Sequence, residues 1–115
     1  MKTHSYGVCI YKLDKKSIQI LLMQPKGSSQ WGFIKGKIDK GEDPRECAVR
    51  ECFEETGIAV DPRDLKNEDM FFNVTKRKNI GIYPVVEDYT NMSNIVLCEK
   101  ETEAIKWYDL YGDID

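Results

Sequence analysis

Residues 36–58 read GKIDKGEDPRECAVRECFEETGI, with Glu51, Glu54 and Glu55 crowded close together near the end. Asp43 followed by Pro44, with Glu46 three residues after the aspartate, is a helix-start signal: a side-chain cap, proline at the first helical position and a capping-box partner. Gly57 after Thr56 is the matching stop, because glycine takes the left-handed conformation at C′ without strain. Between them the spacing predicts a helix of about 13 residues, close to four turns. With Glu51 at 0° on a helical wheel, Glu55 falls near about 40° and Glu54 near about 300°, so the three carboxylates share an arc of about 100°. Ala48, Val49, Cys52 and Phe53 fall between about 60° and 200°, a core face separate from the acidic one. Like charges at i,i+3 and i,i+4 cost a helix about 0.2–0.5 kcal/mol each, and Arg45 and Arg50 offset only part of that. Such a face is either solvated or arranged around a divalent cation of the Mg²⁺ or Mn²⁺ kind, which takes carboxylate oxygens.

Working outward, SYGVCIYKL (5–13) and IQILLM (18–23) are rich in β-branched and aromatic residues and are joined by DKKS, which reads as a hairpin. QPKGSSQ breaks the pattern, and WGFIKGKI is a short glycine-interrupted extended segment. Beyond the helix, Pro62 opens at most one helical turn. MFFNVTK and IGIYPVVEDY then read as an antiparallel pair around the basic turn RKN. NIVL and AIKWYDL are weaker strand candidates flanking the acidic loop CEKETE. Strands on either side of one helix predict an α/β fold, a mixed sheet with a helix packed on it.

The chain of 115 residues is expected to form one domain over 1–115, without a disulfide framework. A formal net charge of −3 and a pI near 5.2 exclude a generally basic surface gripping nucleic acid by its phosphates. Cys9, Cys47, Cys52 and Cys98 show no CxxC spacing, which favours reduced thiols and a cytoplasmic protein. The longest apolar run, IQILLM, is far too short to cross a bilayer, so no membrane partner is expected.

Gly36, Glu42 after five residues, then seven more and Arg50-Glu51-Cys52-Phe53-Glu54-Glu55-Thr56-Gly57-Ile58 together resemble the signature of the Nudix (MutT-like) hydrolases, GxxxxxE, seven residues, REUxEExGU. The one soft departure is Cys52, where the family has a larger aliphatic residue; it keeps the site apolar. The resemblance implies a Nudix-like α/β/α sandwich with a mixed β-sheet. The residues after Tyr108 leave little room for a second packing helix, so the fold is expected short of the C-terminal one.

It further implies a pyrophosphohydrolase that cleaves nucleoside diphosphates linked to another moiety by attack of water on a phosphoanhydride, with Mg²⁺ or Mn²⁺ held by Glu51, Glu54 and Glu55. The carbonyl of Lys35, just before Gly36, is a further candidate ligand. Arg50 would orient Glu51 or Glu42 through a charge-assisted hydrogen bond, as an alternative to a surface pair with Glu46. Glu42 would brace the loop, which Gly36 and Gly41 shape, with Gly57 ending the helix. Lys35 and Lys37 carry flexible positive charge beside the diphosphate. For the general base, Glu51 competes with the acidic run Glu99, Glu101 and Glu103, of which Glu101 is the chosen candidate.

WGFIKGK also resembles the WGFPKGK segment of the branch that includes mRNA-decapping and RNA 5′-pyrophosphate-removing enzymes, with Ile34 in place of the proline. Trp31 either stacks a base or belongs to the core. Lys76, Arg77 and Lys78 at a turn either meet an RNA 5′ end or polyphosphate chain, or are solvated. The tyrosine of the diadenosine tetraphosphate subgroup is absent from Val74, Thr75 and Lys76, and Asn73 stands where the ADP-ribose subgroup has proline. Expected partners are therefore a nucleotide or polyphosphate, or an RNA 5′ end, bound by a monomer or homodimer. The alternative is a binding module of the same fold without turnover.

Overall fold

The computed structural model describes residues 2–14, 17–87 and 95–110. In chain order the elements are β1 (Thr3–Asp14), β2 (Ser17–Pro25), β3 (Ile34–Lys37), α1 (Pro44–Thr56), two 3₁₀ turns (Pro62–Asp64 and Asn67–Asp69), β4 (Phe71–Val74), β5 (Lys78–Val86) and β6 (Thr102–Asp109). The strands form one mixed sheet in the order β4-β5-β1-β2-β6, with β3 paired to β1 off that path. β1 and β5 run parallel, and every other named pairing is antiparallel. Among the described residues α1 is the one α-helix. The expected mixed sheet with a packed helix is therefore what forms.

Strand alternation sends Val8 and Ile10 of β1, Leu21 and Met23 of β2, Ile34 of β3 and Tyr83 and Val85 of β5 into a core with Ala48 and Cys52 of α1. Each such apolar side chain contributes about 1.5–3 kcal/mol on burial, which outweighs the like-charge cost on the helix's other flank. Beyond α1, Ile58, Val60 and Leu65 seal the same core. Tyr83, fully buried, donates its hydroxyl to Asn67 Oδ1 at 2.7 Å, so its polar end is not stranded.

Four local expectations need correction. Asp43 is the N-cap, but its side chain makes no capping bond and instead faces Arg45 Nε at 3.4 Å; only its carbonyl accepts, from the Cys47 N–H. Pro44 and Gly57 act as expected, Gly57 with φ 77° and its N–H donated to the Phe53 carbonyl. Phe53 is 58% exposed, because the buried arc of α1 is centred on Cys47, Ala48, Cys52 and Thr56, toward the acidic side. Gly36 lies inside β3 rather than in a loop. Residues 95–97 form no strand: Val96 and Cys98 N–H groups are donated to the Thr56 and Glu55 carbonyls at 2.9 and 3.0 Å, which satisfies the orphan acceptors of the last turn of α1. Asn94 and the end of the expected 80–89 strand, Asp88 and Tyr89, lie outside the described residues. Trp31 is half-buried outside the core cluster, with Lys106 Nζ 4.6 Å over its ring.

Candidate active site

The site grows from the crossing of β3 under α1. Gly36 has ordinary strand dihedrals, so glycine is needed there for space: a Cβ at that position would stand 2.1 Å from both Cδ and Oε2 of Glu51. The carboxylate of Glu51 thus lies against bare backbone. Gly41, in contrast, has φ 82° and open space around it, so the turn between β3 and α1 uses its conformational freedom.

Arg50 fastens this corner. Its guanidinium donates to Glu42 Oε2 at 2.7 Å through Nε and to Glu42 Oε1 at 3.0 Å through Nη2, a bidentate fork. Nη1 donates to Glu51 Oε1 at 2.8 Å and Glu54 Oε2 at 3.2 Å, and Nη2 also reaches the Lys37 carbonyl at 3.0 Å. Of the pairings weighed for Arg50, those with Glu42 and Glu51 are made, and Glu46 is not among its partners. Glu42 accepts the Asp39 N–H as well, at 2.9 Å, so it ties the loop before α1 to the helix. The Arg50 hydrogen bonds hold the Glu42 carboxyl below the usual range, and those carboxylates drive the guanidinium pKa upward. Asp39, 3.4 Å from Arg50 Nε, and Cys47, whose thiol faces the Gly36 carbonyl at 3.5 Å, belong to the same corner and were not singled out by sequence reasoning. Cys47 has the i,i+11 relation to Gly36 only through the fold, so no local signal marked it.

Glu55 stands differently. It is 8% exposed, and its Oε2 is buried with no hydrogen-bond partner. Burial first, then the charges of Glu51, Glu101 and Glu54, push its carboxyl up to about 8, against which Lys35 is the opposing cation. Burial also raises Glu51, outweighing its bond to Arg50. Glu101 reaches this group because its loop is tied down at both ends: its carbonyl accepts the Lys26 N–H at 3.0 Å and its N–H is donated to the Cys98 carbonyl at 3.2 Å. Beside it, Thr102 Oγ1 is the other buried side-chain atom without a partner among the described residues. Glu103 pairs with Lys26 on the surface, and Glu99 is exposed.

The donor set fits a hard divalent cation in kind: oxygens only, with one buried carboxylate oxygen unpartnered and a second carboxylate seated where a side chain at residue 36 would expel it. Among the described residues no three His, Cys, Asp or Glu side chains are drawn into one closed cage, and Arg50 pairs with both Glu51 and Glu54. The thiols offer no soft alternative. Burial pushes Cys47 and Cys52 each up to about 12, and neither is a thiolate at neutral pH.

The remaining candidates divide by place. Lys35 and Lys37 flank Gly36 in β3, Lys37 exposed and Lys35 partly so. Lys76 and Arg77 are exposed at the β4–β5 turn, where the Arg77 carbonyl accepts the Thr3 N–H at 2.9 Å. Trp31 stands by Lys106 of β6.

Three comparisons bear on this geometry. The chain is 38% identical over 100 residues to the mRNA decapping complex subunit 2 of Schizosaccharomyces pombe, covering 85% of this chain and 13% of that protein. It is 45% identical over 111 residues to the m7GpppN-mRNA hydrolase dcap-2 of Caenorhabditis elegans, covering 92% of this chain and again 13% of the relative. The chain thus corresponds to a small part of these proteins. An Ap4A hydrolase structure from C. elegans superposes with a TM-score of 0.71 at 27% identity, over 93% of this chain and 80% of that one. The NUDIX domain family matches residues 2–111, so the chain belongs to the NUDIX family.

Proposed function

We propose that this domain hydrolyses a phosphoanhydride in nucleoside diphosphates linked to another moiety, with a divalent cation, Mg²⁺ or Mn²⁺, as its cofactor. The observation that carries the proposal is Glu55: a carboxylate of a crowded acidic face, buried with an unpartnered oxygen and opposed by a single nearby lysine. Surface glutamates that served only solubility would turn to water rather than bury an unpartnered oxygen.

Glu51, Glu54 and Glu55, with the Lys35 carbonyl, would hold the cation. When bound it supplies charge neutralisation at the phosphate oxygens and makes water more acidic. The protein's own groups do the positioning. Arg50 keeps Glu51 on the bare backbone of Gly36, and Glu42 keeps Arg50 in place. Glu101 faces the same carboxylates from the 95–101 loop and takes the proton of the attacking water, while Lys35 and Lys37 offset charge on the substrate phosphates. Relatives named for mRNA decapping and for Ap4A hydrolysis support RNA 5′ ends and dinucleoside polyphosphates as the substrates to test first, with Lys76, Arg77 and Trp31 as outlying contacts.

The test is phosphate or nucleotide release from a capped RNA, a triphosphorylated RNA and a dinucleoside polyphosphate, with Mg²⁺ and with Mn²⁺, for wild type and Glu55→Gln. Turnover that the variant loses by about 100-fold or more is expected. Binding of the same compounds without turnover over hours would establish a binding module instead, and equal turnover in the variant would remove Glu55 from the site.

A further inference from the structure

The sheet has two outer strands, and they are guarded differently. β6 carries Glu103, Lys106 and Asp109 along its length, the kind of charge that keeps an exposed edge from pairing with another chain. β4, at the other end of the sheet, is Phe71-Phe72-Asn73-Val74 and contains no charge, proline or glycine. Its three apolar side chains stand in solvent, Phe71 45%, Phe72 56% and Val74 61% exposed. Among the described residues no strand pairs with its outer side.

Hydrogen-bond alternation settles which backbone groups are open. The Thr75 N–H is donated to the Lys78 carbonyl at 2.8 Å and closes the β4–β5 turn, so Asn73 opposite Ile80 and Phe71 opposite Ile82 are the residues that bond to β5. Phe72 and Val74 therefore turn their N–H and C=O groups outward, to be met by water or by another strand. Side chains two apart share a face, so Met70, Phe72 and Val74 line one side of this edge, the side on which Met70 packs against the core. Two residues before Met70 stands Glu68, and two residues after Val74 stands Lys76, both exposed.

The order Glu68, Met70, Phe72, Val74, Lys76 is its own complement when reversed. Laid antiparallel on a second copy with Phe72 opposite Phe72, Met70 meets Val74 and Glu68 meets Lys76, each twice about a two-fold axis. That register also sets the outward groups of Phe72 and Val74 against outward groups of the partner, as a ladder requires. We propose that β4 is a dimer edge at which two copies of this chain join their sheets. A strand from another protein would have to match this sequence of charges and apolar residues, whereas a second copy carries the match in itself. β6 shows the contrast: paired with itself about Ile105 or about Lys106, it would set Asp109 against Glu101 or against Glu103. So few paired positions make a small interface, so the dimer forms and dissociates with concentration. The proposal goes beyond the hydrolase reading and does not depend on it.

Sedimentation of the chain at low ionic strength, over a series from about 10 µM to 1 mM, reads the association directly. Wild type is expected to pass from monomer to dimer across the series. Phe72→Lys, which puts two ammonium groups on the axis at an exposed position, is expected to stay monomeric. Glu68→Lys and Lys76→Glu each turn two opposite-charge pairs into like-charge pairs, and each weakens the dimer about 4-fold or more. Mixed one to one, these two variants again set opposite charges face to face, and the heterodimer returns to within about 3-fold of wild-type affinity. Recovery on mixing is something that damaged folding cannot produce. Wild type monomeric throughout, a dimer indifferent to Phe72→Lys, or a mixture that associates no better than its parts overturns the proposal.

Discussion

A methyl group at residue 36 isolates the role of Glu51 from the stability of the fold. In Gly36→Ala the added Cβ would stand 2.1 Å from the Glu51 carboxylate, whereas non-bonded heavy atoms settle at about 3.5–4.0 Å. The carboxylate must therefore withdraw by more than about 1 Å, which breaks its 2.8 Å bond with Arg50. What moves is the far end of a side chain. An off-rotamer glutamate costs about 0.5–1.5 kcal/mol, the lost hydrogen bond about 1.5–3, and the stiffer unfolded chain returns about 0.4–1. Arg50 keeps both bonds to Glu42, so no buried charge is stranded. The expected net loss of stability is about 1–4 kcal/mol, within what a domain of this size survives.

Function should suffer far more, because a shift of about 1 Å in a positioning group costs about 100-fold in rate. Urea denaturation supplies the first quantity, and Mn²⁺ affinity with steady-state hydrolysis the second. Gly7→Ala is the control, since there the listener to the added carbon is the Ile34 backbone oxygen at 2.0 Å and the strand itself must shift. A double-mutant cycle decides the cause: if Gly36→Ala acts through Glu51, it lowers Mn²⁺ affinity in wild type but not in a Glu51→Ala background. Activity within about 3-fold of wild type, or full additivity in the cycle, refutes the reasoning.

Two further perturbations follow from the same corner. The folded protein holds Glu55 at about 8 against 4.5 as its ordinary value, so it binds that proton more tightly than the unfolded chain, and stability falls as pH rises from about 4.5 through 8. Without divalent cation Glu55→Gln should match wild type near pH 4 and exceed it by about 2–4 kcal/mol at pH 9, a gap that added Mg²⁺ closes; a pH-independent gap in urea unfolding contradicts this. Arg50→Lys keeps the charge but loses the fork on Glu42 and cannot also reach Glu51 and the Lys37 carbonyl. A loss of about 2–3 kcal/mol is expected, and thermal unfolding indistinguishable from wild type would show that the guanidinium geometry is dispensable.

What was legible in the sequence was local. Pro44 and Gly57 bound α1 because their effects are written in their own dihedrals, while β-branched and aromatic content in SYGVCIYKL and alternation in IGIYPVV marked β1 and β5. What was not legible depended on how elements meet. The wheel separated an acidic face from a core face, but the sheet meets α1 along Cys47, Ala48, Cys52 and Thr56, and that rotation carries Glu55 indoors and leaves Phe53 outside. NIVL has strand composition, yet Val96 and the following Cys98 answer the open carbonyls of the helix end instead of a neighbouring strand. The row Lys35, Gly7, Ile82 and Phe71 was hidden for a similar reason, since these residues are far apart in the chain and meet only through register.

The strand IKGK joins the two halves of this arrangement through its period of two. Ile34 is fully buried and Gly36 lies under Glu51, both on the helix side, while Lys35 and Lys37 take the opposite face. Four residues therefore anchor the core, clear space for one carboxylate and set two lysines on the other face of the sheet. Glycine at 36 and lysine at 35 are consequently not interchangeable in order: a slip of one residue against β1 would put a lysine where Glu51 must fit and turn both cations toward the helix side. The geometry of the acidic face and the charge of the opposite face are thus set by one register, that of Val8 with Ile34 and Ser5 with Lys37.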